Sequence, residues 1–265
     1  YDVGGGRYDP DSDSWQAMSS DNAPQGRTFH TAVWTGDEML VWGGLNGTQP
    51  LGAGKAYDPD SDSWRDISGS VAPIPRLKHA AVWSGSEMLV WGGTNTADWL
   101  NNGGRYDANG DSWQPIGTSG APIFRESMAA AWTGDELLVW GGWDGGNYLG
   151  DGALWTEAGG WTTIASDGAP SGRAFHSSVW TGTELIVWSG CAGNVCEVFR
   201  DDGGRWDAAS DAWAPIPADP AVPARVEHTM VWTGTEIIIF GGRDASDDIL
   251  GTGAIAVPAS FDELP

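Results

Sequence analysis

The chain has 265 residues, with 36 acidic side chains against 13 basic ones and a formal net charge of −23. That balance excludes the nucleic-acid backbone as the default partner, because affinity for phosphates comes from Lys and Arg displacing counterions. No apolar run approaches the length that crosses a bilayer as a helix, and so acidic a surface keeps a protein soluble and suits Ca²⁺ or cationic partners.

The first residue is Tyr, and no basic stretch followed by an apolar one is present, so the chain is expected to be mature or trimmed. In chain order, the first readable element is Tyr8-Asp9-Pro10-Asp11-Ser12-Asp13-Ser14-Trp15. Asp, Pro and Ser between aromatic ends are turn residues that bond their own backbone, which predicts a hairpin within residues 1–18. Next comes Arg27 to Gly44, RTFHTAVWTGDEMLVWGG. Two β-branched and aromatic runs flank Thr-Gly-Asp-Glu, which predicts a second hairpin, and the closing Gly-Gly frees the backbone to leave the strand. The aromatic and aspartate turn then returns at Tyr57 to Trp64, so one period holds four strands, here a, b, c and d.

The period repeats from Arg76, Arg125, Arg173 and Arg225. Its first Trp recurs at Trp34, Trp83, Trp132, Trp180 and Trp232, separated by 49, 49, 48 and 52 residues, a spacing that belongs to arrays of supersecondary units. No 3.6-residue apolar pattern of useful length appears, so stacked helices are excluded and the expectation is all-β, a propeller of four-stranded antiparallel blades.

The Arg before strand a, the Gly-Gly after strand b, and an aromatic set before a Trp across an Asp-rich turn together resemble the kelch repeat, over Tyr1 to about Pro258. The resemblance implies a fold more firmly than an activity, since kelch propellers include oxidases, lyase-like specifier proteins and binding modules. One domain over residues 1–265 is expected, of a bacterial, secreted type. Five blades are favoured, with the hairpin of residues 1–18 closing the ring onto the last a and b strands. Against that closure, Gly251 to Pro258 aligns with Gly52 to Pro59 as a c strand of its own, and a fragment of a longer chain would give six blades.

Strand alternation puts the d–a and b–c connections on one rim and the a–b and c–d turns on the other. On the first rim, Arg27, Arg76, Arg125, Arg173 and Arg225 are expected at the channel mouth, with His30, His79, His176 and His228 three residues later and Met128 in the remaining slot. A residue that recurs in every blade normally serves the blade, so these arginines are also read as partners of a repeated acid: Glu38, Glu87, Glu136, Glu184 and Glu236, or the c–d aspartates. The b–c loops depart from the repeat. Trp99, Trp143 and Tyr148 beside Asn, Asp and Thr offer stacking surfaces and paired hydrogen-bond groups suited to a glycan or protein ligand. Cys191 and Cys196, within one loop, predict a disulfide and an oxidising compartment, extracellular or periplasmic.

On the other rim, Asp9, Asp11 and Asp13, and again Asp58, Asp60 and Asp62, stand at positions 1, 3 and 5 of a turn, a weak Ca²⁺ pattern that lacks the Gly and Glu of an EF-hand. No further cofactor is expected. A copper site of the galactose-oxidase kind, a specifier-type iron site and a sialidase centre each need residues absent from these positions, and no Gly-Xaa-Ser-Xaa-Gly, His-Glu-Xaa-Xaa-His or phosphate loop occurs. The reading is a secreted, non-catalytic binding propeller, monomeric or part of a larger assembly. Its alternatives are a carbohydrate-active hydrolase or lyase working at the channel mouth, and a structural domain of a larger surface protein.

Overall fold

The computed structural model describes residues 4–193, 196–220 and 222–256. All its regular elements are strands. The chain divides into two compact units, Tyr1–Ile116 and Gly117–Pro265.

In the first unit, strands Thr31–Trp34, Met39–Trp42, Gly54–Asp58 and Ser63–Asp66 pair antiparallel in that order, and Ala80–Trp83, Glu87–Trp91, Gly103–Asp107 and Ser112–Ile116 form a second such sheet. The expected a–b–c–d blade is thus present twice. Each b strand is a continuous apolar run because both of its faces are covered. Leu40 and Trp42 point to one side and meet Met88, Val90, Tyr106 and Trp113 of the next sheet in a single core cluster. Trp42 is fully buried. Removing such a ring costs about 3–5 kcal/mol in lost burial and cavity formation.

Adjacent sheets are also latched by hydrogen bonds. The Trp113 indole donates to Ser68 O over 2.9 Å, while Asp111 accepts from the Tyr106 hydroxyl at 2.6 Å and from the Ser68 N–H at 2.8 Å. The hairpin Gly6–Asp9 with Ser14–Ala17 makes the same latch one step earlier. Trp64 donates to Ser19 O, and Asp62 accepts from the Ser19 N–H and the Tyr57 hydroxyl. This hairpin therefore stands before the first sheet as the outer half of a preceding blade.

The second unit repeats the plan with Ala129–Trp132, Leu137–Trp140, Gly152–Thr156 and Gly160–Thr163, then Ser177–Trp180, Glu184–Trp188, Gly203–Asp207 and Ala212–Ile216. Leu138 and Trp140 pack on Leu185, Val187, Trp206 and Trp213. The fifth sheet, Thr229–Trp232, Ile237–Phe240 and Gly253–Ala256, has three strands among the described residues.

Its third strand corrects one expectation. Ile237 pairs with Ala256 and Phe240 with Gly253, so the c position assigned to the N-terminal hairpin is held by the chain's own downstream segment. A Cβ at Gly253 would lie 2.4 Å from Ile239 O, and Gly103 and Gly203 meet the matching carbonyls at 2.0 and 2.2 Å, so this ladder position takes only glycine, which both the downstream segment and the N-terminal hairpin offer. Val257 and Pro258 of the predicted strand lie outside the described residues.

Candidate functional site

The recurring arginines come first because the fold aims them inward. Arg125 donates from Nε to Ile123 O, from Nη1 to the carbonyls of Gly141 and Asp151, and from Nη2 to the Asp151 carboxylate, at 3.0–3.1 Å. Arg76 and Arg173 repeat the set with Asn102 and Asp202 as side-chain acceptors. Arg225 bonds the carbonyls of Pro223, Gly241 and Thr252. These four side chains are at most 1% exposed. The cationic mouth expected of them is not formed, since a guanidinium placed among carbonyls the strands leave unpaired staples the loop to the blade.

Their acid partners also differ from expectation. Asp151 and Asp202, at the ends of b–c loops, pair with Arg125 and Arg173. Three of the repeated glutamates serve c and d strand arginines instead: Glu38 with Arg65, Glu87 with Arg105 and Glu184 with Arg205.

His79, His176 and His228 are likewise buried, the first two edge-on to Trp42 and Trp140. Burial, with the neighbouring arginine adding to it, pushes His79 and His176 down to about 3 and His228 to about 4. They are neutral packing groups at neutral pH. His30 and Arg27 are the exceptions, His30 exposed and Arg27 half-buried.

The position between these two constant residues was not singled out in the sequence. Phe29, Lys78, Ser127, Phe175 and Glu227 all have φ between 53° and 57°, a left-handed backbone that costs a non-glycine residue about 1–3 kcal/mol. Backbone hydrogen bonds link them within each unit, Lys78 N–H to Phe29 O in the first, Phe175 N–H to Ser127 O and Glu227 N–H to Phe175 O in the second. The Lys78 ammonium sits 5.4 Å from the centre of the Phe29 ring, and Glu227 pairs with Arg243 at 3.1 Å. A backbone held alike in all five repeats therefore presents unlike side chains. The only sequence signal is that this slot varies between an Arg and a usual His.

The b–c loops frame this row. In the first unit Trp99 bridges Thr94, and in the second Trp143 bridges both Glu126 and Tyr148. Trp99, Trp143 and Tyr148 are half-buried rather than open. Asn95, Asp144 and Asp244 spend side-chain oxygens on N–H groups two to four residues ahead, which fixes the loop tips. Tyr148 is pushed up mainly by burial, against a hydrogen bond from the Cys196 backbone. Cys191 and Cys196 form the predicted disulfide, and Asn194 and Val195 between them lie outside the described residues.

On the opposite rim the aspartates serve their own turns. Asp9 accepts from the Asp11 N–H and the Ser12 hydroxyl, Asp58 from the Asp60 N–H and the Ser61 hydroxyl, and these bonds hold both carboxyls below their usual range. Asp13 and Asp62 turn away to Tyr8 and Tyr57. Asp11 and Asp60 lie at the exposed turn tips. Among the described residues, no three His, Cys, Asp or Glu side chains are grouped to hold a metal.

Comparison with known families gives a match over residues 68–242 to the KLHDC2/KLHL20/DRC7 Kelch-repeats domain, more than half of the chain. No curated protein matches it. Among the described residues, no helix is long and apolar enough to cross a membrane.

Proposed function

We propose a function from one premise: the chain belongs to the kelch-repeat family, a β-propeller fold. It is a non-catalytic binding module in which the b–c loops and left-handed row of the second unit receive a protein partner. Kelch propellers generally mediate protein interactions. The observation that carries the reading is the row Ser127, Phe175 and Glu227 of the second unit, where one strained backbone geometry displays hydroxyl, aromatic and acidic groups. Strain maintained at a slot whose side chain varies is a mark of a recognition surface.

The fixed loop tips lower the entropy lost on association, and a net charge of −23 steers a basic partner segment. A sugar platform is less well supported, because Trp99 and Trp143 keep their indole nitrogens buried and only part of each ring open. The carbohydrate-active alternative needs Arg and His at the reacting centre, and Arg125 and His176 are enclosed in packing. The disulfide supports an extracellular or periplasmic setting, where such a bond persists.

Selection from a displayed peptide library beside a glycan array tests this. Lys- and Arg-containing peptides are expected to bind, and to lose about tenfold or more on Phe175→Asn, a substitution that tolerates the left-handed backbone. Glycan binding without peptide binding, or equal peptide affinity in Phe175→Asn, contradicts the reading.

A further inference from the structure

We infer that Arg200 is the docking point for an Asp or Glu side chain of the protein partner, so that the segment recognised is a basic peptide carrying a carboxylate. This deepens the function proposed above and rests on it. The fourth b–c loop is where the repeat is most altered. From the second residue after strand b to the glycine that opens strand c, Gly190 to Gly203, it spans 13 positions against 10 or 11 in the other copies, and the disulfide closes the extra length. One slot in it changes chemistry. The residue whose N–H bonds the carbonyl of that leading glycine is Leu51, Leu100, Leu149 and Leu250 in the other copies, and Arg200 in this one.

A slot fitted to an aliphatic side chain leaves a guanidinium without acceptors. Every other Lys and Arg of the chain has a carboxylate, a carbonyl or, for Lys78, an aromatic ring. Among the described residues Arg200 alone has no such side-chain partner, and its Nε is buried without an acceptor. Arg7 and Arg105 also leave Nε unpaired, but their terminal nitrogens bond Pro59 O and Glu87. The carboxylate of Asp202, two residues on, is taken by Arg173. Arg173 is held below its usual value by burial first and, against the pull of Asp202, by the charge of Arg200, so the two guanidiniums are near enough to repel. A buried donor with no acceptor beside a like charge is a cost to the fold, and a carboxylate bonded to the fork removes both parts of it.

The backbone sets this cation beside the left-handed row. Arg200 bonds Gly190, and the next residue, Cys191, pairs with Ala174, which precedes Phe175. Exposed Val198 adds an apolar contact in the same loop. A net charge of −23 repels a free or polyanionic ligand, so the carboxylate arrives on a segment whose other charges are positive. The test is a double-mutant cycle on a peptide selected against the full chain, pairing Arg200→Leu with Asn or Gln in place of the peptide's acid. Arg200→Leu installs the residue of the other four copies, so its thermal midpoint is expected at or above that of the parent. Selected peptides are expected to carry an Asp or Glu among Lys and Arg. Either change weakens binding by about tenfold or more, and the two together cost no more than one. Equal binding to the parent and Arg200→Leu, losses that add, selected peptides with no shared acid, or a midpoint several degrees lower in Arg200→Leu overturns the assignment. Peptide binding that does not depend on Arg200 leaves the loop function standing, whereas no peptide binding at all overturns both.

Discussion

Arg125→Lys separates a structural guanidinium from a ligand-binding one. Arg125 is fully buried and makes four bonds to three carbonyls and one carboxylate. A single ammonium on a shorter reach satisfies one of these acceptors, so at least two of Ile123 O, Gly141 O and Asp151 O lose their donor. An unpaired buried polar group costs about 1–3 kcal/mol, which puts the variant about 3–4 kcal/mol below the parent. For a chain of this size, that lowers the thermal midpoint by about 10 °C. Calorimetric or circular-dichroism melts read it directly. Arg27→Lys is the control, expected to cost about 1 kcal/mol because water reaches its half-buried head group. A midpoint within about 2 °C of the parent for Arg125→Lys refutes the staple, since the carbonyls would then be satisfied without it.

Three further outcomes follow from the same geometry. His79 and His176 titrate near 3 when folded and near 6.5 when unfolded, so between these values the unfolded chain binds more protons. Stability is full above about pH 6.5 and falls by about 1.4 kcal/mol per pH unit for each His below it, and urea midpoints at pH 7.5 and 5 should show a shallower slope in His176→Asn. Reduction of Cys191–Cys196, or Cys196→Ser, removes about 2 kcal/mol of loop-closure stabilisation and raises amide exchange in the b–c loop of the fourth blade. Asp111→Ala unpairs the latch to Tyr106 and Ser68 and lowers the melting midpoint by several degrees, whereas Asp60→Ala, at an exposed turn tip, leaves it in place.

The blades were legible because their determinants are local and copied: short β-branched and aromatic runs for the strands, Asp and Gly turns between them, and Gly-Gly where the backbone turns left-handed. The disulfide was legible for the same reason, both cysteines lying in one short loop. The destination of Arg76, Arg125, Arg173 and Arg225 was not, because a long side chain before a strand can point to solvent or into the blade, and only the positions of Gly141 O and Asp151 O decide it. The third strand of the fifth sheet depended on which of two glycine-led segments reached Ile237–Phe240, a competition that local pattern does not rank. The row from Phe29 to Glu227 stayed hidden because Phe, Lys, Ser and Glu carry no sequence mark of a positive φ.

On this proposal the constant residues hold the blades, and the left-handed row of the second unit does the binding. Its most direct test is the affinity of a library-selected peptide for the triple variant Ser127→Asn, Phe175→Asn and Glu227→Asn, measured beside its thermal midpoint. A loss of binding of more than about tenfold is expected, with the midpoint within about 2 °C of the parent. Undiminished binding by the triple variant would contradict it.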